Sequence, residues 1–123
     1  GIDAVGTVVQ SAVPNYQQGD PVLVTSYELG VERWGGWSQY VRVPADWVLP
    51  LPRGLSAAES MTLGTAGLTA GLCVRALQQH EVLPDAGDVL VTGATGGVGS
   101  LAVMLLATLI SQVPGKSSGA RTV

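Results

Sequence analysis

The stretch "VLVTGATGGVGSLAVMLLATL", Val89 to Leu109, constrains the chain more than any other. Four strand-like residues run into a turn with glycines at 93, 96, 97 and 99, and a long apolar run follows. The pattern predicts a buried strand over Val89–Thr92 and a helix from Gly97 to about Leu109, which is how a βαβ unit begins. A glycine-rich corner of this kind either presents helix N–H groups to a phosphate or only turns the chain tightly.

The glycine spacing bears on that choice. In a dinucleotide-binding turn one glycine permits the turn and one lets the backbone approach the pyrophosphate. A third allows helix and strand to pack closely. Here the register is Ala94-x-Gly96-x-x-Gly99, with alanine in the first glycine position. The spacing alone is a weak signal. An apolar strand before it and an apolar helix after it favour nucleotide binding over a packing turn. An NAD site places an acidic residue roughly 20 residues further on. No Asp or Glu follows Asp88, whereas Lys116 and Arg121 do, so the pattern leans towards a 2′-phosphate and hence NADP.

Composition removes several other classes. The 123 residues suffice for one ordinary domain with a core. Apolar residues make up 46 % and charged residues 12 %, which is globular with a sparsely charged surface. The net charge is −3, with no basic patch before the last eight residues, which argues against nucleic acid or an anionic membrane as partner. The single cysteine, Cys73, excludes an internal disulfide and a cysteine metal cluster and suits a reducing cytoplasm. No signal peptide is visible. The longest apolar run, Val98 to Ile110, is too short to span a bilayer. The chain opens on Gly1 without an initiator Met and reads as the middle of something larger.

The character of the sequence changes along its length. Residues 1–55 hold five of the seven prolines and all three tryptophans, with short apolar stretches such as "GTVV", "PVLVTSY" and "YVRVP". Short strands between Gly, Pro, Asn and Asp turns predict a small β-barrel or sandwich. Ser56 and Glu59 form a capping box that opens a helix rich in small residues, interrupted near Gly64–Gly67. The expected organisation is therefore β-rich over 1–55, helical connection over 56–88, and a first βα unit over 89–123. The fold class is α/β. In the tail, Pro114 and Gly115 break the pattern that a second parallel strand requires.

Several conspicuous side chains have plain structural readings. His80 is expected as a solvated helix-terminal histidine, and Cys73 as a buried, inert thiol. Trp34, Trp37, Tyr40 and Trp47 are expected to pack a barrel. Tyr27 and Trp34 flank a glycine-containing loop and have the better chance of facing a cleft. Asp46 is expected in a turn. No Ser/His/Asp set or carboxylate pair can be assembled, so the catalytic residues stay unknown.

"GIDAVGTVVQSAVPNYQQGDPVLV", "WGGWSQYVRVPADWVLPLPRGLSAAESMTLGTAGLTAGLCVRAL" and "VLVTGATGGVGS" together resemble the medium-chain dehydrogenase/reductase superfamily. Within it the likeness is to the quinone oxidoreductase group, acrylyl-CoA reductase branch, and covers residues 1–109. The resemblance implies a partial GroES-like β-barrel catalytic domain followed by the start of a Rossmann domain. It implies NADPH-dependent reduction of an activated carbon–carbon double bond, from acrylyl-CoA to propionyl-CoA in type. An NADPH quinone oxidoreductase and a truncated, non-catalytic chain are the alternatives. Thr95, Gly96, Gly97, Val98 and Gly99 would then bind the cofactor pyrophosphate, and Thr65 in "GTAG" would lie near the nicotinamide. The implied partner is a small molecule, an enoyl-CoA or a quinone, in a cytoplasmic parent for which a homodimer is one expected assembly. Zinc-dependent members read Gly-His-Glu where this chain has Gly1-Ile2-Asp3, and isoleucine cannot ligate a metal, so no metal site is expected. The family's 2′-phosphate grip would fall near Ser117, Ser118, Gly119 and Arg121, but the irregular tail prevents carrying those positions over.

Overall fold

The computed structural model describes residues 1–112, so the expectations placed on the tail from Pro114 to Arg121 lie outside the described residues. The described chain divides into two compact units, the first spanning Gly1–Thr65 and the second beginning at Ala66.

The first unit is built on a three-stranded antiparallel sheet in the order β1-β2-β3. Strand β1 (Asp3–Thr7) pairs with β2 (Pro21–Thr25), placing Asp3 opposite Thr25 and Val5 opposite Leu23. Strand β3 (Leu49–Pro50) lies along the other edge of β2. The strands are rich in Val and Thr, whose branched side chains suit a pleated surface. Pro21 stands at the first position of its strand, where proline's missing N–H does least harm. The connection between β1 and β2 is tied by Val8 N–H to the Asp20 carbonyl at 2.9 Å and by Gly19 N–H to the Val8 carbonyl at 2.8 Å. Val24 and Leu29 are the buried apolar side chains here, with Leu29 wholly out of solvent.

The aromatic residues depart from the expectation. Trp34 and Trp37 are 95 % and 92 % exposed and Tyr40 is exposed as well, so they do not pack a barrel. Nor does "YVRVP" (40–44) form a strand. The reason is shared. A strand needs a ladder partner and a large ring needs a facing layer, and neither meets these residues among those described. Trp47 does pack. It closes a short 3-10 turn (Ala45–Trp47) that contains Asp46, stacks on Tyr27 with ring centroids 5.0 Å apart, and has the Arg33 guanidinium 5.3 Å from its own centroid.

Helix α1 (Ala57–Gln79) starts on the expected capping box. The Glu59 N–H donates to Ser56 Oγ at 3.2 Å, and Ser56 N–H donates to Glu59 Oε2 at 2.8 Å. These Ser56 hydrogen bonds, from backbone and then side chain, hold the Glu59 pKa below its ordinary value. The helix is broken at Gly64, where φ is 50° and ψ is −151°, within the stretch where the sequence predicts an interruption.

In the second unit, helix α2 (Gly97–Ser111) forms as predicted and runs slightly longer. Ala70, Val74 and Ala102 are buried, and an apolar cavity is lined by Val74, Leu77, Val82, Leu106 and Leu109. Two expectations are corrected here. Val89–Thr92 is not a strand. A parallel strand exists only as half of a pair, and no second parallel strand occurs among the described residues. Cys73 is exposed rather than buried. Ala70 and Val74, four residues apart, define the inward stripe of α1, and Cys73, about 100° around the helix from Val74, lies at its exposed edge. His80 is exposed beyond the helix end, as expected. Among the described residues no helix is long and apolar enough to cross a membrane.

The exposed apolar side chains of this unit generate a prediction. Leu72 and Leu90 are 57 % and 67 % exposed, and Met104 is 63 % exposed. Uncovered apolar surface of this kind drives association. The 123-residue chain should show a concentration-dependent mass by light scattering, and Leu72→Gln with Met104→Gln should reduce that mass without loss of helical circular dichroism. A monomer at every concentration would contradict this.

Candidate functional site

The glycine turn divides its work among particular residues. Gly93 takes φ of 64°, in the left-handed region that favours glycine, and its carbonyl accepts the Gly96 N–H at 2.9 Å. Gly96 is the N-cap of α2 in extended conformation and offers no side-chain cap. Ser100 N–H is bonded to the Gly96 carbonyl at 2.9 Å. The N–H groups one turn earlier therefore have no carbonyl four residues back inside the helix, and they mark its positive end. Thr95, Gly96, Gly97 and Val98 are exposed, whereas Gly99 is half-buried. A Cβ on Gly99 would lie 2.2 Å from the Gly93 carbonyl oxygen and 2.9 Å from the Ala94 Cα, both backbone atoms. Gly99 is thus the close-packing glycine. A Cβ on Gly97 would meet only the Ala66 methyl at 3.5 Å.

This corner has the chemistry that a dinucleotide pyrophosphate would need. The backbone from Thr95 to Val98 is open to solvent, and no side-chain cap occupies the helix end that a pyrophosphate would take. The residue that makes the corner is Gly93, one position before the register read from the sequence.

A second cluster lies in the first unit and was not anticipated. Asp3 begins β1, and its cross-strand partner is Thr25. The Thr25 hydroxyl donates to Asp3 Oδ1. Thr65 follows the break in α1; its hydroxyl donates to the same oxygen at 2.7 Å, and its N–H donates to Asp3 Oδ2 at 3.1 Å. Both carboxylate oxygens are thereby committed. Burial by itself would raise the Asp3 pKa. The hydrogen bonds from Thr25 and Thr65 outweigh it and hold the group below its ordinary value of 3.8. Ser26 joins through its hydroxyl, 3.1 Å from Thr65 Oγ1. Of the residues expected to meet a cofactor, Thr95, Gly96, Gly97, Val98 and Gly99 are contiguous in the second unit, and Thr65 ends the first. The available signal for Asp3 was a lone carboxylate among Ile2, Ala4 and Val5, which must find partners when a strand forms there.

Comparison with known proteins places this geometry in a class. Residues 1–53 match the Alcohol dehydrogenase GroES-like domain family. The chain is 58 % identical over 106 residues to YhfP of Bacillus subtilis (strain 168), which carries a quinone oxidoreductase name; the match covers 86 % of this chain and 32 % of that protein. It is 51 % identical over 109 residues to the acrylyl-CoA reductase AcuI of Ruegeria pomeroyi, covering 89 % of this chain and 33 % of AcuI. The crystal structure of the yhdH oxidoreductase from Salmonella enterica in complex with NADP superposes with a TM-score of 0.88 at 49 % identity, covering 89 % of this chain and 34 % of that one. YhfP itself has been solved with NAD bound, and superposes with a TM-score of 0.84 over 87 % of this chain and 32 % of that one. Over most of its length the chain is similar to members of the quinone oxidoreductase group of medium-chain dehydrogenases and reductases, and its first 53 residues match their GroES-like domain. It spans about a third of the length of these relatives.

Two outcomes follow from the geometry. Gly99→Ala should destabilise the second unit by about 1–3 kcal/mol through forced overlap with backbone, while Gly97→Ala should be near neutral or stabilising. Equal denaturation midpoints for the two variants would contradict the close approach at Gly99. Asp3 gives a pH dependence. Because its folded pKa lies below 3.8, its contribution is complete above that value and is lost as pH falls through the lowered one. Asp3→Asn should therefore flatten the acid limb of the stability profile below about pH 4; an unchanged limb would show that the carboxylate contributes nothing there.

Proposed function

We propose that the chain is part of an NADPH-dependent reductase that delivers hydride to an activated carbon–carbon double bond, of the acrylyl-CoA to propionyl-CoA type. The observation that carries this is the open, uncapped glycine turn Thr95–Gly99, in a chain half identical to an acrylyl-CoA reductase and to an NADP-complexed oxidoreductase. On this reading the chain comprises a partial catalytic domain over 1–55, a connection over 56–88 and, from residue 89, the segment, glycine turn and helix that open a Rossmann domain.

NADPH supplies the hydride when bound. The chain's part is to hold and orient. The free N–H groups at the start of α2 would receive the pyrophosphate, lined by Thr95, Gly96, Gly97, Val98 and Gly99, and Thr65 would lie beside the nicotinamide. Reduction of an enoyl thioester demands alignment of the ring with the β-carbon and stabilisation of the developing enolate oxygen, rather than an elaborate acid–base set. The reading is zinc-free. Ile2 has no ligating atom, both Asp3 oxygens already accept hydrogen bonds, and the described residues contain no group of three metal-ligating side chains.

A quinone reductase is the second reading, favoured by the higher identity to YhfP, and the NAD held by that relative extends the choice to the nucleotide. NADPH and NADH oxidation by the full-length parent, measured with acrylyl-CoA and with a small quinone, decides among these. Turnover is expected with NADPH and acrylyl-CoA; a preference for quinone would transfer the assignment to the second reading. The 123-residue segment alone should not turn over. One helix N-terminus contributes about 0.3–1 kcal/mol towards an anion, against roughly 8 kcal/mol behind a micromolar site.

A further inference from the structure

The function proposed above uses Thr65 but gives Asp3 no role. Asp3 is nevertheless where three features of the first unit converge. It is paired across the sheet with Thr25. It receives both the hydroxyl and the N–H of Thr65. It also fills the space beside Gly64, where an added Cβ would lie 2.7 Å from Asp3 Oδ2. Gly64 is the residue that breaks α1, with φ of 50°, so the carboxylate occupies the inside of the break and caps the segment that resumes at Thr65. A carboxylate at a helix N-terminus is favoured by the free N–H and by the dipole.

The hydrogens of the cluster can be counted. Thr25 and Thr65 each have one hydroxyl hydrogen, and both go to Asp3 Oδ1. Neither is then available for the 3.0 Å approach between the two hydroxyls. The 3.1 Å contact of Ser26 with Thr65 is accordingly a donation from Ser26. Ser26 is held for this in the left-handed region, φ 67°, by its N–H to the Ile2 carbonyl at 3.0 Å. Tyr27 after it has φ of 53°. Two successive non-glycine residues in that region persist only where surrounding contacts fix them. The order Ser26 to Thr65 to Asp3, with Thr25 as the second donor, gives the Thr65 hydroxyl one direction.

We propose that Asp3 is a positioning residue of the reductase site, acting through Thr65: its carboxylate, braced by Thr25, sets the break at Gly64 and holds the Thr65 side chain in one orientation beside the nicotinamide. The proposal rests on the placement of Thr65 made above. It assigns Asp3 no contact with substrate and no proton to transfer. Misplacement of a cofactor-orienting group by about 1 Å is enough to cost on the order of a hundredfold in rate.

The test uses the full-length enzyme and two probes, NADPH itself and adenosine 2′,5′-bisphosphate, which has the phosphates but no nicotinamide. In Asp3→Asn, which keeps the size but replaces one acceptor oxygen by an NH2 donor, kcat should fall about tenfold or more. Affinity for the bisphosphate should stay at the wild-type value. Thr25→Val, a milder change that spares Asp3 itself, should lower kcat in the same direction, and Thr25→Ser should recover most of it by restoring the donor. Wild-type kcat in Asp3→Asn would overturn the proposal, as would bisphosphate affinity falling in step with kcat in both Asp3→Asn and Thr25→Val, since that pattern marks general loss of fold. A wild-type enzyme that oxidises NADPH with neither acrylyl-CoA nor quinone would instead refute the proposed function, and this inference with it.

Discussion

A helix that breaks on glycine exposes N–H groups that need acceptors, and in the first unit one carboxylate supplies the acceptor. Asp3 reaches Thr65 from the start of β1, 62 residues earlier in sequence, so a local backbone requirement is met by a distant contact. The same carboxylate takes the Thr25 hydroxyl across the sheet. The result ties β1, β2 and the break in α1 into a single constraint, because moving any one of them leaves a half-buried charge short of partners. Gly64 belongs to this constraint twice over. Its left-handed φ suits glycine, and its missing side chain leaves the space that the carboxylate fills.

The parts of the fold readable from sequence are those governed by near neighbours. Ser56 and Glu59 find each other three residues apart, the interruption at Gly64 follows from glycines at close spacing, and α2 follows from a long, mostly apolar run after a glycine turn. The errors arise where a residue's state depends on something far along the chain. Trp34, Trp37 and Tyr40 carry the composition of a barrel interior, but burial is decided by a facing layer that composition does not specify. Cys73 illustrates the finer version. Its neighbours Leu72 and Val74 are both apolar, yet the helical repeat buries only Val74. The Asp3 cluster was hidden for the same reason, since residues 3, 25 and 65 share no local pattern.

The glycine turn was legible as a motif but not in its division of labour. The spacing drew attention to Ala94, Gly96 and Gly99, and Gly99 has the close-packing role that the spacing implies. Yet the left-handed corner falls on Gly93, which precedes the register, because the requirement for positive φ belongs to the residue that reverses the chain and not to a fixed offset from the helix. Gly97 shows the converse. It lies within the motif and is exposed, but its nearest outside neighbour is a methyl at 3.5 Å, an ordinary contact, so packing does not require glycine there. Packing therefore leaves the solvent side of Gly97 open.

The missing strand at Val89–Thr92 connects these points. Its sequence has the β-branched, apolar character of an interior parallel strand, but that character stabilises a strand only through ladder bonds and covering faces on both sides. Without a neighbouring parallel strand among the described residues, the segment keeps its place between two turns and does not acquire the ladder. The turn that follows does not depend on the ladder. Its corner is closed by the Gly96 N–H to the Gly93 carbonyl, and its close packing by Gly99 against the same carbonyl. Both are contacts within seven residues. The geometry of the corner is thus a property of the glycine turn and the first turn of α2, held by local contacts, while the affinity of the proposed complete site depends on elements that only pairing at long range can supply.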